Sequence, residues 1–283
     1  MRPHISYSEL SSFATGCQWR WKLDYLEGRR ADVFSIHFDF GTAVHSALEL
    51  HYTRKEPISV DEAVHVFRTK LMELVKEQSS RYRKDQEFNL EALLKAGEQI
   101  IRCFRPAVDS CEELIDPEIA HNEYPLFEQI GREDGSEIKF KGFVDLVLKA
   151  KDKRGKTILW ICDFKTCSWG WDRDTRADKW KHYQLFLYKY FLCKKFNIDP
   201  AMVRTAFFLL KKRPPKNAGP IEFFPVSAGP VSVQRALDEL GSNITEMIER
   251  EKDGSFLKDR SKCTNDFGEV CPYFKSPLCP QSA

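Results

Sequence analysis

Thr157-Ile158-Leu159-Trp160-Ile161-Cys162-Asp163-Phe164-Lys165 decides how this 283-residue chain folds. An apolar, β-branched and aromatic run leads into an acid, a phenylalanine and a lysine, which predicts a buried strand over Thr157 to Phe164. A second apolar segment precedes it, Gly142-Phe143-Val144-Asp145-Leu146-Val147-Leu148, with Asp145 at its centre. Side chains alternate along a strand, so Asp163 and Lys165 share a face. Two acids and a lysine on core strands are costly unless they find partners. A strand-end position for either acid, or a same-face Asp163–Lys165 ion pair, is the structural explanation. A divalent cation held by carboxylates is the functional one, and with a lysine nearby it supplies the parts needed to hydrolyse a phosphodiester.

Working outward, the strands multiply toward the C-terminus and helices fill the N-terminal part. Ser6 followed three residues later by Glu9 matches a capping box and predicts a helix from Tyr7 to about Phe13. An amphipathic turn or helix follows over Cys17 to Leu26, and Gly41-Thr42 opens a strongly helical stretch through Ala43 to Tyr52. Apolar residues recur at helical spacing over 60–80 and 89–108, with Pro106 marking an end. After Pro117, strands are expected over Ile119 to Phe127, Ile138 to Leu148 and Thr157 to Phe164, joined by turns at Gly131–Gly135 and Lys151–Gly155. One long helix over 175–196 precedes strands over Val203 to Leu210 and Ile221 to Val226, and a last helix runs over 230–252. The order predicts an α/β fold with a mixed central sheet. The expectation is a single domain over 1–283: a helical block at about 39–115, a core at about 117–252 and a cysteine-bearing tail over 253–283.

The composition, 42% hydrophobic and 30% charged, is that of a soluble globular protein. The net charge of +2 means that any nucleic-acid surface must be a local patch. No apolar run approaches the roughly 20 residues that span a bilayer. Ser6-Tyr7-Ser8-Glu9 breaks any apolar signal region after Met1-Arg2-Pro3-His4, so an intracellular protein is expected. In that compartment nine cysteines point to metal or buried thiols before disulfides. Cys162, Cys167 and Cys193 belong to apolar segments, and Cys103 and Cys111 carry no assigned role. Cys263, Cys271 and Cys279 sit in a polar, proline-containing tail.

Three further constellations carry possible chemistry. His45, among Ala43, Val44, Ala47 and Leu48, is either a satisfied core histidine or a neutral imidazole ligand joining the two aspartates. Such a His-Asp-Asp site suits manganese or magnesium. Gln184 and Tyr188 are spaced i, i+4 and share one helix face, which either packs or points at the site and binds phosphate or base edges. Lys211-Lys212-Arg213, with Lys216 after two prolines, is a solvated turn or a grip on a DNA backbone. Trp169 and Trp171 could stack on unpaired bases, or pack on the following helix.

His45, Gly142-Phe143-Val144-Asp145, Asp163-Phe164-Lys165 and Gln184-x-x-x-Tyr188 occur in an order that resembles the PD-(D/E)XK nuclease superfamily. The sequence is most similar to its RecB-like branch, which includes the AddB nuclease domain and the CRISPR-adaptation exonucleases. Ser6-Tyr7-Ser8 and Cys17-x-x-Arg20 add to the likeness, which runs from Ile5 to Cys279. The resemblance implies a restriction-endonuclease-like core. It implies that His45, Asp145, Asp163 and the Phe164 carbonyl hold magnesium or manganese, while Lys165 orients the attacking water and meets charge on the phosphate. Glu123 could support the site or a second metal, or be a solvated strand residue. The resemblance further implies a [4Fe-4S] cluster on Cys17, Cys263, Cys271 and Cys279, stapling the chain ends together, with zinc as the alternative. The last three cysteines are more widely spaced here than the branch commonly has them. The implied activity is metal-dependent DNA hydrolysis, exonucleolytic and on single strands or ends, with an iron–sulfur-stapled DNA-binding module as the rival. A redox sensor is a further rival, but no C-x-x-C pair supports it.

Overall fold

The computed structural model describes residues 3–29, 35–52, 57–78, 88–131, 137–264 and 270–280. These residues divide into two compact units. Those within 1–33, 127–142 and 234–283 form the first, and those within 34–126 and 143–233 the second.

In the first unit, β1 (His4–Ser6) pairs in parallel with the start of β3 (Ile138–Lys151), Ile5 opposite Phe140. Ser6 then caps α1 (Tyr7–Thr15), its hydroxyl accepting the Glu9 N–H at 3.2 Å. A short helix, α2 (Gln18–Trp21), runs on as a π-helical turn over Lys22–Leu26. The C-terminal tail is bonded to this turn. The Trp19 N–H donates to the Leu257 carbonyl at 3.0 Å, its indole donates to the Leu278 carbonyl at 2.9 Å, and the Tyr273 hydroxyl donates to Asp24 at 2.6 Å. Leu23, Tyr273 and Cys279 bury together beneath Trp19, Cys271 and Leu278.

The second unit holds a mixed sheet between two helical layers. α3 (Ile36–Tyr52), α4 (Val60–Gln78) and α5 (Leu90–Asp109) pack in sequence on one another. β2 (Ile115–Ile130) pairs with β3, which runs antiparallel to β4 (Thr157–Cys167). β5 (Val203–Lys211) is parallel to β4, and β6 (Ile221–Val226) is antiparallel to β5. Alternate residues make the two faces. Leu146 and Leu148, Trp160, Cys162 and Phe164, and Ala206, Phe208 and Leu210 enter one core with α3, α4 and α5. The opposite face carries Asp163 and Lys165 and meets α7 (Lys179–Phe196). A last helix, α8 (Pro230–Asp253), leads from this unit into the first.

Apart from β1, which the sequence reading did not expect, the element order matches that reading, with local departures that have identifiable causes. The helix expected over 175–196 is two, α6 (Arg173–Ala177) and α7. Asp178 is extended, and its carboxylate caps α7 by accepting the Trp180 N–H at 2.9 Å, so the chain restarts there. α3 starts before Gly41 instead of at it. A Cβ on Gly41 would sit 3.3 Å from the Thr166 hydroxyl, so this glycine serves the close approach of α3 to β4. Pro106 does not end α5, which continues to Asp109. Most of the Gly131–Gly135 turn lies outside the described residues.

A tighter approach joins α4 and α5, where a Cβ on Gly97 would lie 2.0 Å from the ring of the fully buried Phe67. Gly97→Ala should therefore cost about 1–3 kcal/mol by overpacking, despite a helix-propensity gain of about 1 kcal/mol. Urea unfolding should show a lower midpoint, and Phe67→Leu in the same chain should recover part of it.

Candidate metal centre

The site forms where the β3–β4 ladder stops. That ladder runs from Lys151 opposite Thr157 to Leu146 opposite Cys162, while β4 stays paired with β5 as far as Cys167. Just past the last rung, the Asp145 carboxylate accepts the Phe164 N–H at 2.6 Å. A side chain thus takes the place of a rung, and the strands open around it. α3 lies beside this opening. The His45 ring packs edge-on to Phe164 with centroids 5.5 Å apart, and its Nδ1 is 3.7 Å from Asp145 Oδ2.

Glu123 completes the group. His45, Glu123 and Asp145 each offer a ligand atom, all within 4.8 Å of one another, and among the described residues no other histidine, cysteine or carboxylate group meets this criterion. They line a small cleft with Glu49, Tyr52, Asn122 and Phe164. Glu123 has a left-handed backbone, φ 45°, which is uncommon for a residue with a side chain and breaks the alternation of β2. Asn122 donates to the Glu49 carbonyl at 2.6 Å, bonding this stretch of β2 to α3.

Asp163 and Lys165 are adjacent on the α7 face. Asp163 is 2% exposed, and its Oδ2 lies 2.6 Å from Lys165 Nζ. Gln184 closes the arrangement. Its Nε2 donates to Asp163 Oδ1 at 2.7 Å and to the Tyr188 hydroxyl at 3.2 Å, while its Oε1 accepts from Lys165 at 3.0 Å. Gln184 thus meets Asp163 and Lys165, and Tyr188 meets Gln184 on the face that the i, i+4 spacing gives them.

The electrostatics follow from burial. Desolvation, then the charge of Asp163, pushes the Asp145 carboxyl well above its ordinary range, and desolvation, then Glu49, raises Glu123. Burial lowers the His45 pKa, which keeps the imidazole neutral and able to bind a metal. Burial disfavours charge on Lys165, but Asp163 and Asp145 outweigh it and hold its pKa above the usual lysine value. A neutral imidazole and two or three crowded carboxylates form a donor set that fits a hard divalent cation.

The remaining expected residues lie elsewhere. Lys211 is buried and paired with Glu222 at 3.1 Å, Lys212 reaches His37 Nδ1 at 3.1 Å, and Arg213 is exposed. Trp171 packs on Phe207, with ring centroids 4.9 Å apart, while Trp169 is exposed. Cys17, Cys263, Cys271 and Cys279 all belong to the first unit, with Cys271 N–H bonded to the Cys263 carbonyl at 2.7 Å. No three of these sulfurs come within 4.8 Å of one another. Glu49 escaped the sequence reading, although its i, i+4 spacing from His45 was a usable signal.

The PD-(D/E)XK nuclease superfamily matches residues 4–280, and the chain belongs to it. The crystal structure of a proposed exonuclease from Eubacterium rectale is similar over 95% of this chain and 89% of its own, with a TM-score of 0.56. At 16% identity that likeness is one of fold. No curated protein matches the sequence.

The raised Asp145 pKa has a measurable consequence in metal-free protein. A carboxyl whose folded pKa lies above its unfolded value contributes stability below the ordinary carboxylate range and loses it as pH rises through the folded value. Asp145→Asn keeps an acceptor for the Phe164 N–H and removes the buried charge. In chelator-treated protein it should therefore be more stable than wild type by about 1–2 kcal/mol at neutral pH, a typical gain on relieving a strained site. The gap should close as pH falls toward the ordinary carboxylate range. Urea melts across that interval check it.

Proposed function

We propose that the chain is a magnesium- or manganese-dependent deoxyribonuclease of the RecB-like branch, acting as an exonuclease on single-stranded DNA or DNA ends. One observation carries this reading: three metal-capable side chains converge at one end of β3, near a lysine paired with Asp163 at 2.6 Å. The exonuclease and single-strand preferences draw on the resemblance, and the Eubacterium rectale structure shares the fold.

His45, Asp145 and Glu123 would hold the cation, with Asp163 and the Phe164 carbonyl as the further ligands expected from the motif. Asp163 faces Lys165 and Gln184, but a carboxylate has about four lone-pair sites and so can bind both and still offer an oxygen. When bound, such an ion lowers the pKa of its water and polarises the phosphate. Lys165, held between Asp163 and Gln184, would orient the nucleophile and meet charge developing on phosphorus oxygens. Tyr188 fixes Gln184 from one turn further along α7.

Cys17, Cys263, Cys271 and Cys279 would hold a [4Fe-4S] cluster. The bonding of the tail to the Trp19 segment supports the expected staple.

Degradation of end-labelled single- and double-stranded DNA tests the catalytic assignment. Chelator should abolish cleavage, magnesium or manganese should restore it, and Lys165→Ala should slow it by about 100- to 1000-fold. Equal rates for wild type and Lys165→Ala would sink the assignment. Separately, anaerobically purified protein should contain iron and absorb in the visible, and Cys271→Ser should lose both; zinc without iron would favour the alternative.

A further inference from the structure

Phe38 and Trp169 stand 65% and 64% exposed. Single exposed apolar side chains are ordinary, but these two extend from the elements that carry the candidate site. Phe38 precedes His45 on α3 by seven residues, which returns it to the same helix face about 10 Å away along the axis. Trp169 follows Lys165 by four residues, at most about 13 Å of extended chain.

α3 and β4 stay together over this stretch. The His45 ring lies against Phe164, and Gly41 lies against Thr166. Further along, the Lys212 N–H donates to the Cys167 carbonyl at 2.9 Å, while its Nζ is 3.1 Å from His37 Nδ1. The Arg213 N–H donates to the Ser168 carbonyl at 2.8 Å. Lys212 and Arg213 are thus bonded to His37 and Ser168, the residues that precede Phe38 and Trp169 in the chain.

We infer that Phe38 and Trp169 form a stacking subsite for unpaired nucleobases, and that Lys212 and Arg213 follow the backbone of the same single strand. This rests on the nuclease reading and adds the part of the surface that selects single strands. An exposed ring accepts the face of any base, so the subsite tolerates sequence, and cationic side chains answer the phosphates. In a duplex the base faces are already stacked on one another, so the rings gain nothing from it.

Anisotropy of a fluorescein-labelled oligothymidylate, with calcium present so that the strand stays intact, tests this on the full chain. Phe38→Ala and Trp169→Ala should each weaken binding about 5- to 150-fold, and Trp169→Phe should restore most of the loss. Magnesium-dependent turnover of thymidine 5′-(p-nitrophenyl phosphate), which occupies only the catalytic centre, should be unchanged in all three. Equal oligothymidylate affinity in wild type and alanine variants overturns the subsite and leaves the nuclease reading standing. Equal losses on blunt duplex and single strand also overturn it, because the rings would then not be reading free bases. A wild type that never cleaves the small substrate counts against the nuclease reading instead, and the anisotropy still decides the subsite.

Discussion

The Asp145 carboxylate accepts the Phe164 N–H just beyond the last β3–β4 rung, and the rest of the candidate site depends on that substitution. While a ladder continues, each strand fills the other's main-chain bonds and its side chains stay on their own faces. Once a side chain supplies the acceptor, the strands can part without stranding a buried donor. That opening is what lets an imidazole from the helical layer stand 3.7 Å from an acid on the sheet. The same bond favours the charged carboxylate and so works against the rise that burial and Asp163 impose on Asp145.

Around this point the two layers have separate tasks. α3 brings His45 and Glu49 to the cleft and binds β2 through Asn122, while α7 brings Gln184 to Asp163 and Lys165. The lysine is held by two acceptors of different kinds, a carboxylate and an amide, and keeps its charge in spite of burial. The chain belongs to the PD-(D/E)XK nuclease superfamily, and in it two acids and an imidazole crowd together at one end of the β3–β4 ladder.

Much of this was legible in the primary structure. Strand periodicity located β3 to β6, helical periodicity located α4 and α5 within two residues, and the acids and lysine stood out because charge inside apolar strands needs a reason. What was not legible depends on contacts between distant segments. The break at Asp178 is a capping choice that competes with a continuous helical pattern, and Gly41 and Gly97 make sense only against Thr166 and Phe67. Lys211 reads as part of a basic run, yet its ammonium is buried against Glu222 from the neighbouring strand.

The sequence alone therefore determined which residue types stand on which strand or helix, because alternation and 3.6-residue periodicity are local properties of the backbone. Only the tertiary structure decided that Glu123 joins His45 and Asp145 and that Gln184 reaches the Asp163–Lys165 pair. A left-handed residue in β2 and a ladder that opens at Asp145 redirect those carboxylates. Neither follows from spacing, because each depends on what the rest of the chain packs against it.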